Sequence, residues 1–417
     1  MKKSKIIYLY TAMLFMACLT GCSWNDNDNL QLYLKMDEKS GNTCSDSAQK
    51  QEPAKVFYNL SNGTYQAPID PQWRENGVKG GALQFDGYSS YIRYDYESIA
   101  IGGSSLTLDV WVAPRAYEWL DPNSDKLTAI ISQHSKGDNQ GFILGMSRYG
   151  SWSFQVGLGD QWVEIWDDGH PLEKYVWSHI TAVFDGDKGE IRLYKNGELI
   201  NTKLCNGEAK IDKALDTPLF IGKNNENDII GPFSKEMFSG LMDEVRIYNS
   251  VLDEKTILKL QKAGTSNGEI KQVVFSDIWF DDTLLVNDKY KPTYHITAAQ
   301  NWMNEPHAPI YYNGKYHLFY QFNPFGPYWQ QIHWGHWVSD DLVNWKNVKE
   351  ALCPTKDSVA PDGIWSGGAA YKNDGTPVYR FIMITQIKSL GLIQGCHQWS
   401  KIREGILMEI LFPRMTY

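Results

Sequence analysis

The stretch GEIRLYKNGELI, residues 189–200, contains two short runs of strand-forming residues joined by Asn196-Gly197. A two-residue type I′ turn requires positive φ at both central positions, and Asn-Gly is the pair that adopts it most readily. Asn313-Gly314 separates APIYY from KYHLFYQF in the same way. These turns predict antiparallel β-hairpins at two distant places in the chain.

Residues 30–262 carry a series of short alternating segments. In SLTLDVWV one face of the strand is apolar, formed by Leu106, Leu108, Val110 and Val112. Such alternation is typical of a β-strand, and many such strands separated by turns predict a β-sandwich. The one helix that we expect is short, because Asp253 is a good N-cap and Gly264 is a good stop signal.

Composition narrows the possible partners. A formal net charge of −9 without any Lys/Arg stripe argues against a nucleic-acid partner. The 16 Trp and 24 Tyr are typical of flat apolar surfaces for sugar rings, and equally typical of β-sheet cores. Beyond the N-terminal segment the cysteines lie far apart without Cys-x-x-Cys spacing, so neither a zinc site nor a disulfide framework is expected among Cys44, Cys205, Cys353 and Cys396.

The first 22 residues have the pattern of an export signal. Lysines precede an apolar run, 6–19, that is too short for a membrane span, since a spanning helix needs about 20 residues. Leu19-Thr20-Gly21-Cys22 resembles a bacterial lipoprotein cleavage site with Cys22 as the lipid attachment residue. We expect an exported chain, anchored by lipid to a bacterial membrane, with 23–29 as a tether. An uncleaved anchor and a plain secretory peptide are the alternatives.

Four segments resemble, in this order, a laminin-G/concanavalin-like jelly roll: GALQFDGYSSYI, WSHITAVFDGDKGEIRLYKNGELI, PLFIGKN and FSGLMDEVRIYNSVL. The resemblance covers residues 30–262 and implies carbohydrate binding. It also allows a structural calcium ion at Asp86 and Asp243, although an Asp in FDG serves equally well as a turn residue. Four tryptophans are candidates either for a sugar platform or for packing: Trp119, Trp152, Trp162 and Trp166.

A second β-rich pattern follows a linker at residues 263–292. The stretches YKPTYHITAAQNWMNEPHAPIYYNGKYHLFYQFNPFG, HWGHWVSDDLVNWK and GIWSGGA resemble the start of glycoside hydrolase family 32, which includes invertases, inulinases and levanases. The resemblance implies a five-bladed β-propeller enzyme that needs no cofactor. Residues 293–378 would form its first blade or two. The expected fold class is therefore all-β, a β-sandwich jelly roll followed by an incomplete five-bladed β-propeller.

The resemblance places Glu305 at the nucleophile position, because the family motif Trp-Met-Asn-Asp-Pro-Asn-Gly aligns with residues 302–308. A retaining glycosidase needs this carboxylate and, about 5 Å away, a second carboxyl that protonates the leaving oxygen. Glu305 has one methylene more than the family's Asp, and errors near 1 Å cost about 100-fold in rate. His307-Ala308, in place of Asn-Gly, indicates a differently shaped loop.

Five further positions match family residues that bind the fructosyl unit: Asn304, Gln321, Trp329, Trp334 and Ser366. The resemblance makes the three polar residues hydrogen-bond partners of the sugar and the two tryptophans a wall of the funnel, which suits a ligand with several hydroxyls and one apolar face. The alternative is that the polar residues lie in turns and the tryptophans in the propeller core. His333 and His336 would diverge on a strand, so we expect a core or loop role instead of a metal site.

The partner acid has no counterpart in the sequence. Family members carry Arg-Asp-Pro and Glu-Cys-Pro motifs, and neither string occurs in the chain. Residues 379–417 contain seven Ile but no Asp or Asn, an abrupt shift that is typical of translation in a wrong reading frame. We expect a retaining hydrolase of fructans, with levan-, inulin- or sucrose-type linkages, truncated before its acid/base. A surface carbohydrate-binding lipoprotein and an inactive remnant of a damaged gene are the alternatives.

Overall fold

The computed structural model describes residues 29–61, 71–118, 126–205, 207, 209–280, 286–289, 291–292, 294–356, 360–384 and 407–411. The expected export signal with Cys22, and also Trp119, lie outside these ranges. No helix within the described ranges is long and apolar enough to cross a membrane.

In its described residues, the N-terminal part has 18 strands and one 3-10 turn at Arg148–Gly150. The strands are β1 (Leu30–Leu34), β2 (Thr43–Cys44), β3 (Ala54–Tyr58), β4 (Gln72–Arg74), β5 (Ala82–Asp86), β6 (Ser90–Tyr94), β7 (Ser105–Pro114), β8 (Thr128–Ser135), β9 (Gln140–Met146), β10 (Trp152–Gly157), β11 (Trp162–Asp167), β12 (Ser178–Asp185), β13 (Glu190–Lys195), β14 (Glu198–Leu204), β15 (Leu219–Ile221), β16 (Ile229–Ile230), β17 (Phe233–Ser234) and β18 (Ser239–Tyr248).

Short elements then lead to the C-terminal part. They are helix α1 (Glu254–Ala263), strands β19 (Thr265–Ser266) and β20 (Glu269–Ile270) and helix α2 (Phe275–Ile278). The strands of the C-terminal part are β21 (Trp302–Tyr312), β22 (Lys315–Asn323), β23 (His333–Ser339), β24 (Trp345–Leu352), β25 (Gly363–Tyr371), β26 (Pro377–Ile384) and β27 (Leu407–Leu411).

Two eight-stranded antiparallel sheets form the expected sandwich. The first has the order β14-β13-β12-β7-β18-β5-β4, with β1 paired to β18, and the second has the order β11-β10-β9-β8-β15-β6-β3-β2. The apolar face predicted for β7 is fully buried in one core cluster with Phe142, Leu144 and Phe154 of the second sheet. Each such side chain stabilises the fold by ~1.5–3 kcal/mol, so the all-β jelly roll is explained by this shared core.

The opposite face of β7 is also buried, which simple alternation did not predict. Asp109 lies there without exposure, 2.8 Å from His179 and 3.2 Å from Arg246. Trp111 packs in a cluster with Ile278 of α2, and Ile257 of α1 belongs to a neighbouring cluster on the same sheet. The first sheet is therefore a middle layer, with the short helices covering its outer face.

The predicted turns and helix ends are confirmed. Asn196 and Gly197 have φ of 53° and 83°, and Asn313 and Gly314 have φ of 50° and 77°, as a type I′ turn requires. Asp253 caps α1 by accepting a hydrogen bond of 2.7 Å from the backbone N–H of Thr256. These local signals act through adjacent residues only, which is why the sequence alone locates them.

The C-terminal part begins with a four-stranded antiparallel sheet in the order β21-β22-β23-β24, the arrangement of one propeller blade. A second sheet, β25-β26-β27, packs against it around Phe319, Trp334 and Tyr379. The boundary expected at residue 378 falls inside β26, and backbone pairing of β26 with β27 carries the sheet into the stretch 379–417. The strand pattern thus continues past the point where the composition changes.

The linker packs between the two parts instead of separating them. Trp279 and Phe280, which are 6% and 7% exposed, lie in one cluster with Tyr320 and Trp337 of the blade. The guanidinium of Arg115, from the jelly roll, stands 4.4 Å above the Phe280 ring. Aromatic and cation–π contacts of this kind hold the jelly roll and the blade together.

Candidate functional site

Glu305 lies in a β-bulge near the start of β21. Met303 pairs with Phe322 and Pro306 pairs with Tyr320, so two residues of β21 face the single residue Gln321 of β22. The two residues are Asn304 and Glu305. A bulge re-aims side chains that would otherwise alternate between the two faces of a sheet, and it brings both of these side chains to Gln321.

Four predicted residues form one hydrogen-bonded network. The side-chain amide of Asn304 donates to Gln321 Oε1 at 3.2 Å, and Gln321 Nε2 donates to Glu305 Oε1 at 3.3 Å. Gln321 Nε2 also donates to Ser366 Oγ at 2.6 Å, and this hydroxyl in turn donates to Glu305 Oε1. Ser366 comes from β25, so three strands of two sheets supply the network.

Burial within the network is graded. Gln321 is 7% exposed, Ser366 is half-buried, and Asn304 and Glu305 are exposed. A buried amide fixed by three partners has little freedom to move, so Gln321 acts as the fixed member. It holds Glu305 Oε1 in place while the exposed side of the network stays open to a ligand.

His307 is a contributor that the sequence did not identify as such. Its Nδ1 lies 3.2 Å from the backbone carbonyl of Glu305, and its ring packs 4.4 Å from the Trp334 ring. Burial lowers the pKa of His307, so the neutral ring donates to that carbonyl. Ala308 follows with φ of 53°, a left-handed conformation that favours glycine. The loop therefore has a glycine-like backbone conformation at position 308, although the residue there is alanine.

The two predicted wall tryptophans have different environments. Trp329 is 45% exposed, as a sugar-facing indole requires. Trp334 has no exposure, donates to the backbone carbonyl of Trp365 at 2.8 Å and packs against Tyr379. The expected place of Trp334 in the funnel wall is wrong, because the side chain fills the core between the two sheets; the alternative of a core role applies.

The jelly-roll tryptophans also divide. Trp152 is fully buried in the sandwich core, so of the two candidate roles it has the packing role. Trp162 and Trp166 lie four residues apart on the outer face of the edge strand β11, with Glu164 between them, and are half-buried. Their indole N–H groups donate to Gln155 at 2.8 Å and to Glu164 at 2.9 Å. Aromatic and polar groups thus alternate on this face.

Asp86 and Asp243 do not share a site. Asp86 accepts backbone hydrogen bonds of 2.8–3.0 Å from Tyr88, Ser89 and Ser90, which is the turn role considered as the alternative. Asp86 pairs with Ser239 across the sheet, and Asp243 lies four residues further along β18, roughly 13 Å away at 3.3 Å per residue. Burial raises the pKa of Asp243 well above its ordinary value.

Within the described ranges, one group of three candidate metal ligands lies close together: His333, Glu350 and Cys353, with ligand atoms within 4.8 Å of one another. The ammonium of Lys174 is already there, 2.7 Å from Glu350 Oε1 and 3.3 Å from Cys353 Sγ. The hydroxyl of Tyr175 donates to the same carboxylate at 2.7 Å. Lys174 supplies the positive charge that an ion would bring, so the group fits an ion pair between the two parts of the chain.

His336 is not part of this group. It contacts His317 at 2.9 Å in the blade interior.

Residues 295–401 match the family model of the glycosyl hydrolases family 32 N-terminal domain, and residues 86–258 match that of the concanavalin A-like lectin/glucanases superfamily. The match to the family 32 model, residues 295–401, extends past the boundary expected at residue 378.

Curated proteins that match this part of the chain are named for activity on fructosyl substrates. A levanase of Bacillus subtilis is 43% identical over 95 residues, which are 23% of this chain and 13% of that protein. A beta-fructofuranosidase, insoluble isoenzyme 2, of Oryza sativa subsp. indica is 46% identical over 99 residues, which are 23% of this chain and 16% of that protein. The chain therefore spans less than a fifth of the length of these curated relatives.

A solved structure, fructan 1-exohydrolase IIa from Cichorium intybus, is 37% identical to the chain where the two match. The match covers 24% of this chain and 18% of that chain, with a TM-score of 0.22. The likeness is thus confined to a part of each chain.

The ion pair at Glu350 predicts a specific pH dependence. Burial alone would raise the pKa of Glu350, but Lys174, His333 and the Tyr175 hydroxyl outweigh it and lower this pKa from 4.5 to about 2. A carboxyl with a depressed folded-state pKa stabilises the fold above its unfolded pKa and loses this contribution as the pH falls toward the folded pKa. Glu350→Gln should lower the free energy of unfolding at pH 7 by about 3–5 kcal/mol, because Lys174 is left without its charge partner.

Urea unfolding of the two proteins between pH 7 and pH 2 measures this difference. The advantage of the wild type over Glu350→Gln should shrink as the pH falls from about 4.5 to about 2. Glu97→Gln, which changes an exposed glutamate, is the matched control and should follow the wild type throughout. Parallel curves for the wild type and Glu350→Gln would show that the pair does not titrate in this way.

Proposed function

We propose that the chain functions as a glycoside hydrolase of β-fructosyl linkages, acting on fructans of the levan or inulin type or on sucrose-type linkages. The observation that carries this proposal is the network of Asn304, Glu305, Gln321 and Ser366, in which an exposed carboxylate lies beside an exposed amide and two further polar side chains. The names of the matched relatives support the substrate class. No cofactor takes part in the proposed reaction.

The proposed mechanism is retaining, with Glu305 as the nucleophile. Gln321 and Ser366 both donate to Oε1, and among the described residues no hydrogen bond reaches Oε2. Oε2 is then the atom that attacks the anomeric carbon, while the bond from this carbon to the leaving oxygen breaks. The negative charge of Glu305 also stabilises the cationic character that develops at the anomeric carbon.

The second carboxyl of the proposed mechanism must protonate the leaving oxygen and then activate the water that releases the sugar. Within the described ranges, the hydrogen-bond network of Glu305 contains no other carboxyl group. The network therefore provides the nucleophilic half of the chemistry and the sugar-orienting groups. Asn304 is placed to bind sugar hydroxyls, and Gln321, the substrate-binding position by resemblance, orients Asn304 and Glu305 from the buried side. Trp329 offers an exposed indole for the apolar face of the ring.

Replacing the nucleophile tests the proposal. Glu305→Gln keeps the shape of the side chain and removes its charge, so fructose release from levan or inulin should fall by roughly 10³-fold or more. Affinity for the same polymer, measured by calorimetry, should remain. Glu97→Gln, an exposed change in the jelly roll, is the control. Equal rates of hydrolysis by the wild type and Glu305→Gln would remove Glu305 from the mechanism.

Carbohydrate binding by the jelly roll is a second candidate function. The observation in its favour is the outer face of β11, where Trp162 and Trp166 flank Glu164. Lys136 pairs with Glu164 at 2.9 Å. On the neighbouring strand β10, Gln155 Oε1 accepts a hydrogen bond from the Trp162 indole N–H. Half-exposed indoles beside charged and amide groups suit the apolar faces and the hydroxyls of a polysaccharide.

Single alanine variants separate the two functions. Trp162→Ala and Trp166→Ala should each weaken binding of levan or inulin about 10-fold, because a stacking surface is lost, without changing hydrolysis of a short fructoside. Trp73→Ala removes another half-buried jelly-roll indole, on β4 of the other sheet, and is the matched control. Affinity that is the same in all three variants would exclude the face of β11 as the binding surface.

We also propose that the chain is exported and anchored to a bacterial membrane by lipid at Cys22. In a bacterial host Cys22→Ser should move the protein from the membrane fraction to the soluble exported fraction and abolish labelling by a radioactive fatty acid. Cys18→Ser, a change within the same leader, is the control and should leave both properties intact. A Cys22→Ser protein that stays in the membrane fraction would favour an uncleaved anchor.

A further inference from the structure

We infer that the jelly roll positions the nucleophile network, through Arg148 and Tyr149, by fixing the strand that carries Ser366. This inference rests on the proposed function of Glu305. Arg148 and Tyr149 lie in the 3-10 turn of the jelly roll. Their partners, Pro361 and Asp362, immediately precede β25. Both are therefore positioning residues, which act on Glu305 through Ser366.

The contact is short, polar and largely shielded from solvent. Arg148 Nη2 lies 2.6 Å from Asp362 Oδ1, and the two side chains are 13% and 12% exposed. The Tyr149 hydroxyl donates to the carbonyl of Pro361 at 2.6 Å and accepts from Arg148 Nη2 at 2.8 Å. Two adjacent residues of one part thus hold two adjacent residues of the other, which fixes orientation as well as distance.

Ser366 needs such support because its own strand is irregular. Ile364 pairs with Met383 and Gly367 pairs with Phe381, so Trp365 and Ser366 together face one residue of β26. A bulge leaves the ladder locally incomplete. The position of Ser366 therefore depends on how the start of β25, three residues before it, is held.

The start of β25 is held from two directions. From the blade, the amide of Gln331 donates to the Pro361 carbonyl at 2.8 Å, and the backbone N–H of Ile364 donates to Ile332 at 2.8 Å. From the jelly roll, Arg148 and Tyr149 bind the same pair of residues. The carbonyl of Pro361 is thus shared between both parts of the chain.

Tyr149 makes this contact from a strained, left-handed backbone conformation. Its φ of 60° and ψ of 17° lie in the left-handed region, which is costly for a bulky residue. The surroundings hold it there: the N–H of Leu172 donates to the carbonyl of Gly150 at 2.8 Å, and Arg148 stands 5.0 Å from the Tyr149 ring centre. Because this turn is held rigidly, it fixes the position of Asp362 and does not adjust to it.

Hydrogen exchange of the full chain tests the inference without requiring turnover. Arg148→Ala should speed backbone exchange in 363–371 by at least about 10-fold, because one anchor of β25 is lost, while exchange in 106–112 of the jelly-roll core stays unchanged. Tyr149→Phe, which deletes a single hydroxyl, should give a smaller increase in the same segment. Arg93→Ala removes a jelly-roll ion pair with Asp95 away from this contact and is the control.

A charge exchange distinguishes positioning from a general loss of stability. The double variant Arg148→Asp with Asp362→Arg should restore slow exchange in 363–371, whereas each single reversal should not. If Arg148→Ala also speeds exchange in 106–112, Tyr149→Phe decides, since it keeps the ion pair. Unchanged exchange in 363–371 for Arg148→Ala, or for Tyr149→Phe in that case, would overturn the inference.

Kinetics connect the contact to the proposed reaction. On levan, Arg148→Ala should lower kcat roughly 10-fold with little change in KM, because Ser366 orients the Glu305 carboxylate more than it binds substrate. The charge exchange should recover kcat. An unchanged kcat despite faster exchange in 363–371 would overturn the link to Glu305. If the wild type itself has no turnover, the proposed function fails, while the exchange result still decides whether the jelly roll fixes β25.

Discussion

The bulge that sets Asn304 and Glu305 opposite Gln321 is the constraint on which the candidate site depends. In a regular strand successive side chains point to opposite faces, so an amide and a carboxylate at adjacent positions would separate. One additional residue in β21 removes this separation. The same strand contains a second bulge at Ala308, and β25 contains one at Ser366, so irregular pairing concentrates where the polar network forms.

The network is stable because its central member is buried and its reactive member is not. Gln321 uses its amide oxygen and nitrogen on three neighbours, and a buried amide that is fully hydrogen-bonded does not carry the desolvation cost of an unpaired one. Glu305 keeps access to solvent and directs one oxygen toward the network. Structural rigidity and chemical accessibility are therefore assigned to different residues.

The sequence predicted what short-range chemistry determines. Positive-φ turns at Asn196-Gly197 and the Asp253 cap follow from adjacent residues. The motif order singled out Glu305, Gln321 and Ser366, whose side chains the structure joins by hydrogen bonds. Bulges left no signal, because alternation with a period of two continues on either side of them. The sequence left open whether Trp334 and Trp152 are buried, because an indole suits both a sugar and a core, and only tertiary packing separates the two.

The buried ion pairs at the junction between the two parts determine how the parts are arranged more than they add to stability. A buried pair such as Lys174 and Glu350 gains little over apolar residues of similar size, since both charges must first leave water. Such a pair tolerates one arrangement only, because any shift leaves a buried charge unmatched. Tyr175, with φ of 64°, reaches Glu350 from a left-handed backbone just as Tyr149 reaches Pro361. Two strained aromatic residues and two ion pairs thus define a single docking geometry, and that geometry fixes the strand beside the nucleophile.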